Sequence, residues 1–134
     1  MNLKALIVDD DQMVQFLNKK VLNALGIEAD IANNGFEALV RLKDTTYDFL
    51  LMDINMPGQD GLDTARWIRD DRNKPYRDIP IFALTTYGSL AHTLEIKDAG
   101  INEHLQKPLD SKLLIAILKR YFRFKIDADA LASD

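Results

Sequence analysis

Short apolar runs alternate along the chain with stretches in which apolar residues recur every three or four positions. The runs have the length of β-strands, and the recurring pattern is that of amphipathic helices. The pattern predicts strands at 3–8, 27–32, 48–52, 79–84 and 103–106, and helices at 12–25, 35–43, 62–72, 89–99 and 111–122. Strands that alternate with helices indicate an α/β fold, with a mostly parallel sheet and helices on both of its faces.

Four residues mark the ends of predicted helices. Gly26 and Gly100 directly follow helices, where the chain commonly needs a positive φ angle. Asp11 precedes the first helix and Asp110 precedes the last, and aspartate is a favourable N-cap residue.

Composition narrows the class of protein. The chain has 134 residues, 47% of them hydrophobic, which suits one globular domain over 1–122 with a tail at 123–134 that extends the last helix, begins a linker or is disordered. The net charge of −4, with scattered Lys and Arg, argues against direct contact with nucleic acid. There is no cysteine, and the longest apolar run, 113–118, is too short to span a membrane. No signal peptide is recognisable, so we expect a cytoplasmic protein that does not contact membranes.

Two predicted strands run directly into carboxylate side chains. Asp9, Asp10 and Asp11 follow the first strand, and Asp53 follows the third. In open α/β sheets, ligands bind beyond the carboxyl ends of the strands, so these acids are expected to converge. Mg²⁺ prefers oxygen ligands and commonly takes one or two carboxylates. Asp9, Asp10 and Asp53 therefore form a candidate Mg²⁺ site, whereas Asp11 can be an N-cap only.

Two further groups are expected at the same edge of the sheet. The fourth predicted strand is followed by Thr85, and the fifth by Lys107. A hydroxyl and an ammonium group suit the oxygens of a phosphoryl group whose other side a metal neutralises. An aspartate can itself be the nucleophile, which forms an aspartyl phosphate. Together with the acids, these residues favour phosphoryl-transfer chemistry.

In their order and spacing, these segments resemble the receiver domain of response regulators in two-component signalling. The residues that carry the resemblance are LIVDD at 6–10, MDINMPGQDG at 52–61, LT at 84–85 and KP at 107–108. The resemblance implies a doubly wound, flavodoxin-like fold of five parallel strands in the order 2-1-3-4-5 with five helices, as in chemotaxis regulators. The sequence also resembles the receiver domains of hybrid histidine kinases.

The resemblance also implies a role for each acid. Asp53 would be the phosphoacceptor, which takes a phosphoryl group from a phosphohistidine on a histidine kinase or a histidine phosphotransfer protein. Asp53 and Asp10 would ligate Mg²⁺ directly. Asp9 would act through a bound water, and Asn55 through its backbone carbonyl.

A conformational switch is the other implication of the resemblance. Lys107 would contact Asp53 and the phosphoryl group, and the Lys107–Pro108 peptide bond is typically cis in this family. Thr85 would donate its hydroxyl to a phosphoryl oxygen and move on activation. His104 stands where many members carry an aromatic residue that turns inward with that movement. Such a domain catalyses its own phosphorylation and dephosphorylation, and we do not expect an enzyme that turns over a separate substrate.

In two predicted helices, some apolar residues lie outside the single stripe that is expected to face the core. If the first helix buries positions 14, 17, 21 and 25, Phe16 lies on the opposite side and is a candidate for docking a partner helix. By the resemblance, the last helix buries Leu114, Leu118, Tyr121 and Phe122. Leu113 and Ile117 then lie outside its stripe, where they could contact a second copy or another domain unless the tail covers them.

Three alternative functions differ in what they require of the sequence. A phosphatase or mutase with an aspartyl nucleophile usually carries a second Asp two residues later, where this chain has Asn55, and usually adds a cap domain. A flavin-binding domain needs a phosphate loop with few acids, whereas 9–11 is all aspartate. A receiver that cannot be phosphorylated would lack part of the acid, Thr and Lys set. The phosphatase-type enzyme stays the main alternative to a phosphoacceptor receiver domain.

Overall fold

The computed structural model describes residues 2–55, 61–70, 74–86 and 90–123, with the side chains of 90–92 left out. Residues 56–60 of the sequence motif at 52–61, the last two residues of the helix predicted at 62–72, the first residue of the helix predicted at 89–99, and 124–134 of the tail therefore lie outside the described residues. Within the described part of the chain, no helix has the length and apolar character needed to cross a membrane.

Five strands form one parallel sheet. They are β1 (Lys4–Val8), β2 (Glu28–Ala32), β3 (Phe49–Asp53), β4 (Ile81–Thr85) and β5 (Glu103–Gln106). Their order is β2-β1-β3-β4-β5, and every neighbouring pair is parallel. The doubly wound five-stranded fold is thereby confirmed.

Five helices connect and follow the strands. They are α1 (Gln12–Ala24), α2 (Gly35–Asp44), α3 (Gly61–Asp70), α4 (Leu90–Asp98) and α5 (Ser111–Phe122). The bounds of β5 and α5 match the sequence prediction. The other predicted bounds that fall on described residues differ by no more than two residues from those of the structure. Because β3 extends to Asp53 rather than ending before it, this carboxylate lies on the last residue of a buried strand.

The core consists of two layers, one on each face of the sheet. α1 and α5 cover one face, where Leu22, Leu114 and Leu118 pack with Phe49 and Phe82 of the central strands. The helices α2, α3 and α4 cover the other face, with Ala38, Ala65, Ile68 and Ile96. Every residue of β3 and β4 is buried. Burial of each large aliphatic side chain contributes about 1.5–3 kcal/mol, so these strands form a rigid base for the side chains at their ends.

The helix ends follow the predicted chemistry. Asp11 caps α1, because its carboxylate accepts hydrogen bonds from the backbone N–H groups of Met13 and Val14, at 2.9 and 3.3 Å. Asp110 caps α5 in the same way through the N–H of Lys112, at 2.9 Å. Gly26 and Gly100 have φ angles of 79° and 89°, in the left-handed region that favours glycine.

The buried stripe predicted for α1 is wrong. The helix buries Gln15, Asn18 and Leu22 instead, while Leu17 is 50% exposed. The physical reason is that α1 begins beside the acidic edge of the sheet, so its inward side first meets polar groups and only further along meets the apolar core. Phe16 is 62% exposed, as expected from its position outside any buried stripe.

The stripe predicted for α5 needs two corrections. Ile117 was expected outside the core, but it is only 2% exposed and belongs to the same core layer as Leu22 of α1. Tyr121 was expected inside, but it is 38% exposed, although its ring packs edge-on against Phe82 with centroids 5.2 Å apart. α5 buries a face wider than one stripe because its residues join a core layer that includes both the sheet and Leu22 of α1. Leu113 is exposed, as predicted.

Candidate functional site

Three carboxylates meet at the carboxyl edge of the sheet. Asp53 is the last residue of β3 and is 4% exposed, and Asp9 follows β1 and is 1% exposed. Asp10 is exposed beside them. One carboxylate oxygen from each of the three lies within 4.8 Å of the other two. The convergence predicted from the strand ends is confirmed.

The two oxygens of Asp53 have different surroundings. Oδ1 accepts a hydrogen bond from the backbone N–H of Asn55 at 2.9 Å, and Lys107 Nζ lies 2.9 Å from the same atom. No described residue forms a hydrogen bond with Oδ2. One oxygen is therefore anchored while the other stays available for reaction.

Asp9 is a buried acid with an incomplete set of partners. Its Oδ1 accepts a hydrogen bond from the N–H of Asp11 at 2.9 Å, and its Oδ2 is buried without a hydrogen-bond partner. Burial raises the pKa of the Asp9 carboxyl from 3.8 to about 6, against the effect of the Asp11 N–H, and the nearby Asp53 carboxylate adds to the rise. Such an arrangement is costly for the protein alone.

This geometry fits a hard divalent cation. A buried carboxylate oxygen without a partner, beside two further carboxylates, offers the oxygen ligands that Mg²⁺ prefers. A cation would also relieve the mutual repulsion of the three acids. Asp9, Asp10 and Asp53 are thus able to hold Mg²⁺.

Thr85 and Lys107 lie at the carboxyl ends of β4 and β5, at the same edge of the sheet. Thr85 ends β4 and is fully buried, one residue beyond Leu84, which is the register partner of Asp53. The N–H of Lys107 donates to the carbonyl of Thr85 at 2.9 Å. The Lys107–Pro108 peptide bond is cis. The structure therefore brings together the acids, the Lys and the Thr that the sequence predicted for one site.

Two residues help to shape the site although no role was predicted for them from the sequence. Gln15 is buried in α1, and its Nε2 donates to the carbonyl of Asp9 at 2.6 Å and to Asn33 Oδ1 at 2.8 Å. A Cβ at Gly61 would lie 2.6 Å from the carbonyl oxygen of Asp53, so only glycine allows α3 to start this close to β3. The sequence signal that could have indicated Gln15 is its spacing from Asn18. The two polar residues lie about one turn apart on the same side of α1.

The remaining predicted residues lie apart from the acids. His104 is exposed on β5, where its register partner is Ala83 of β4. Phe16 and Leu113 are exposed on α1 and α5, and Ile117 is buried in the core. A groove of about 620 Å³ runs between α1 and the β5–α5 connection, with Leu17, Val21, Lys107, Pro108 and Leu109 among its lining residues. Lys107 connects this groove to the site.

The family model for the response regulator receiver domain matches residues 5–119. The chain belongs to this family. Receiver domains of response regulators accept a phosphoryl group in two-component signalling, and that is the function of this domain. The family interpretation of the sequence is thereby confirmed.

Individual relatives agree with the family match. The receiver domain is 32% identical over 133 residues to the response regulator MprA of Mycobacterium bovis, across 99% of this chain and 56% of that protein. It therefore spans little more than half the length of that relative.

Solved structures show the same fold. The chemotaxis protein CheY4 of Vibrio cholerae is similar with a TM-score of 0.82 and 30% identity, over 91% of this chain and 100% of that one. The receiver domain of the sensor histidine kinase PA1611 from Pseudomonas aeruginosa has a TM-score of 0.80 and 30% identity, over 92% and 100% of the two chains. That structure has a magnesium ion coordinated in its active-site cleft.

Proposed function

We propose that Asp53 is the phosphoacceptor of this receiver domain and takes its phosphoryl group from a phosphohistidine on a partner protein. The observation that carries the proposal is the asymmetry of the Asp53 carboxylate. Oδ1 is held by the Lys107 ammonium and by the N–H of Asn55, both at 2.9 Å. Oδ2 is the oxygen with no hydrogen bond from the described residues, so it is the natural nucleophile.

The transfer forms one bond and breaks another. Oδ2 of Asp53 bonds to phosphorus as the phosphorus–nitrogen bond of the phosphohistidine breaks. The electron pair of that bond returns to the imidazole nitrogen, and the ring leaves in neutral form when its second nitrogen carries the proton. The product is an aspartyl phosphate on this chain and a free histidine on the donor.

Lys107 and Thr85 assist by position and charge. The Lys107 ammonium, already beside Asp53, is placed to neutralise a phosphoryl oxygen after transfer. The Thr85 hydroxyl is proposed to donate to another phosphoryl oxygen. Asp10 and Asp53 would hold Mg²⁺ directly, Asp9 through water and Asn55 through its carbonyl. When bound, the ion supplies positive charge against the phosphoryl oxygens.

Movement of Thr85 toward the new phosphoryl group is the proposed switch. Thr85 and His104 lie on the neighbouring strands β4 and β5, so a shift at the end of β4 can reach the exposed face that carries His104. The charge change is local, and the packed face beside it has to adopt a second arrangement to transmit the signal.

A phosphohistidine donor is expected to dock over α1. Phe16 is 62% exposed on this helix, and the apolar groove beside α1 leads to Lys107. A donor helix laid along this surface would present its histidine to Asp53. Of the two α5 residues proposed for contact with another domain, only Leu113 is exposed. Such a contact would therefore bury less apolar surface of α5 than the sequence predicted.

Several features of the whole protein stay predictions. They are the domain boundary at 122, the nature of the tail, the cytoplasmic location, and the absence of turnover on a separate substrate. Because this chain spans little more than half of MprA, the activity and partners of any longer protein that contains it are also open to experiment.

Binding of beryllofluoride, a phosphoryl analogue, tests the proposed role of Asp53. Fluorine NMR of the wild-type chain with Mg²⁺ should show a bound signal, and Asp53→Asn should abolish it. Asp44→Asn, which changes an exposed aspartate at the end of α2, is the matched control and should keep the signal. A bound signal in Asp53→Asn, or none in the wild type, would reject Asp53 as the acceptor.

A further inference from the structure

The outer faces of α2 and α3 carry large apolar side chains that stay well exposed. Phe36 and Val40 lie one turn apart on α2 and are 67% and 44% exposed, and Trp67 on α3 is 42% exposed. We call these three residues the α2–α3 patch. Single exposed apolar residues are ordinary, but a group that includes Trp and Phe is typical of protein interfaces.

Opposite charges lie at the edge of this patch. Lys43 continues the α2 face that carries Phe36 and Val40, and Asp70 ends α3. Both are exposed and line one shallow groove of about 260 Å³, together with Leu39, Trp67 and Tyr76. Neither Lys43 nor Asp70 forms an ion pair or a side-chain hydrogen bond with another residue in the described ranges.

We propose that the α2–α3 patch is a self-association surface that pairs two copies of this chain about a twofold axis. A twofold axis through the groove sets Lys43 against Asp70 of the partner subunit, and the same pair recurs by symmetry. The two Trp67 rings then lie near the axis, where the apolar area is removed from water. One surface that carries both signs of charge beside an apolar centre is complementary to itself.

The size of the patch sets the strength of this pairing. α2 and α3 have ten residues each, so each is about 15 Å long. Two adjacent helices of about 10 Å width present roughly 300 Å² of face, well under the roughly 800 Å² per partner of a stable interface. The dimer is therefore weak, and association requires concentrations above the micromolar range.

Charge reversal tests the pairing by sedimentation velocity across a wide concentration range. Lys43→Asp and Asp70→Lys each place like charges opposite one another in a homodimer, so each should weaken association at least tenfold. An equimolar mixture of the two variants should associate again, because each contact between positions 43 and 70 in the heterodimer then joins opposite charges. Lys112→Asp, the same charge change on an exposed residue of α5, should leave association unchanged.

Trp67 supplies a second readout, because it is the only tryptophan in the chain. Its emission should shift to the blue as the concentration of the wild type rises, and the shift should be lost in each single variant. A wild type that stays monomeric overturns the proposal, as does a mixture that fails to associate. Equal weakening by Lys112→Asp would assign the contact to another surface. These outcomes do not depend on Asp53 and leave the phosphoacceptor proposal untouched.

Discussion

Asp9→Asn should stabilise the metal-free receiver domain, although it removes one of the acids proposed to hold the metal. The Asp9 carboxyl is 1% exposed, and its Oδ2 is buried without a hydrogen-bond partner. An Asn at this position keeps an acceptor for the N–H of Asp11. It also removes a buried negative charge that lies beside Asp53 and Asp10.

The raised pKa of Asp9 sets the magnitude. Its pKa is about 6 in the folded domain against an ordinary value of 3.8, and this difference corresponds to about 3 kcal/mol. Because the folded pKa is raised, ionisation of Asp9 destabilises the fold. The cost is absent below about pH 4, grows as the pH rises toward 6, and is complete above that value. Asp9→Asn should therefore raise the free energy of unfolding by up to about 3 kcal/mol at pH 7.5, and by roughly half as much at pH 5.

Urea unfolding in EDTA, followed by the fluorescence of Trp67, measures this difference at both pH values. Asp11→Asn is the matched control, because it removes an exposed carboxylate at the adjacent N-cap and Asn caps helices about as well as Asp. The control should change stability little. If Asp9→Asn is no more stable than the wild type at pH 7.5, or if its advantage is larger at pH 5, the account of the Asp9 charge is wrong.

Three further substitutions separate positioning from chemistry. Thr85→Val keeps the buried shape but removes the hydroxyl. The domain should still be phosphorylated, but the NMR chemical-shift changes on β5 that report activation should be lost. Thr85→Ser, which keeps a hydroxyl, should retain these changes. Gln15→Leu leaves the acceptors at Asp9 and Asn33 without their donor and should lower the free energy of unfolding in urea by about 1–3 kcal/mol, with weaker Mg²⁺ binding in a titration. Gly61→Ala places Cβ 2.6 Å from a carbonyl oxygen of β3 and should destabilise by about 1–3 kcal/mol. An unchanged urea midpoint in either of the last two would contradict the contact assigned to that residue.

The site was predictable because its residues lie at the ends of predicted strands. Asp9, Asp53 and Thr85 each come directly after a short apolar run, and Lys107 follows the short predicted strand at 103–106. Parallel strands bring their carboxyl ends to one edge. The α/β class follows from the alternation of patterns in the same way. Strand order does not, because many orders satisfy the same alternation, and the family resemblance was needed to predict 2-1-3-4-5.

The helix faces were less predictable, for two physical reasons. α1 buries Gln15 and Asn18 because its first half packs against the polar edge of the sheet, so apolar periodicity indicates the wrong side. α5 is apolar at six consecutive positions, 113–118, so no periodicity distinguishes Ile117, which is buried, from Leu113, which is exposed. Contacts between elements far apart in the sequence decide both cases.

Phosphotransfer followed by mapping of the modified residue tests the central claim most directly. The wild-type chain is mixed with Mg²⁺ and a protein that carries phosphohistidine, and intact mass and peptide analysis locate the phosphoryl group. The account predicts one phosphoryl group, on Asp53, and none on Asp53→Asn under the same conditions. Transfer to another residue, or equal labelling of Asp53→Asn, would contradict it.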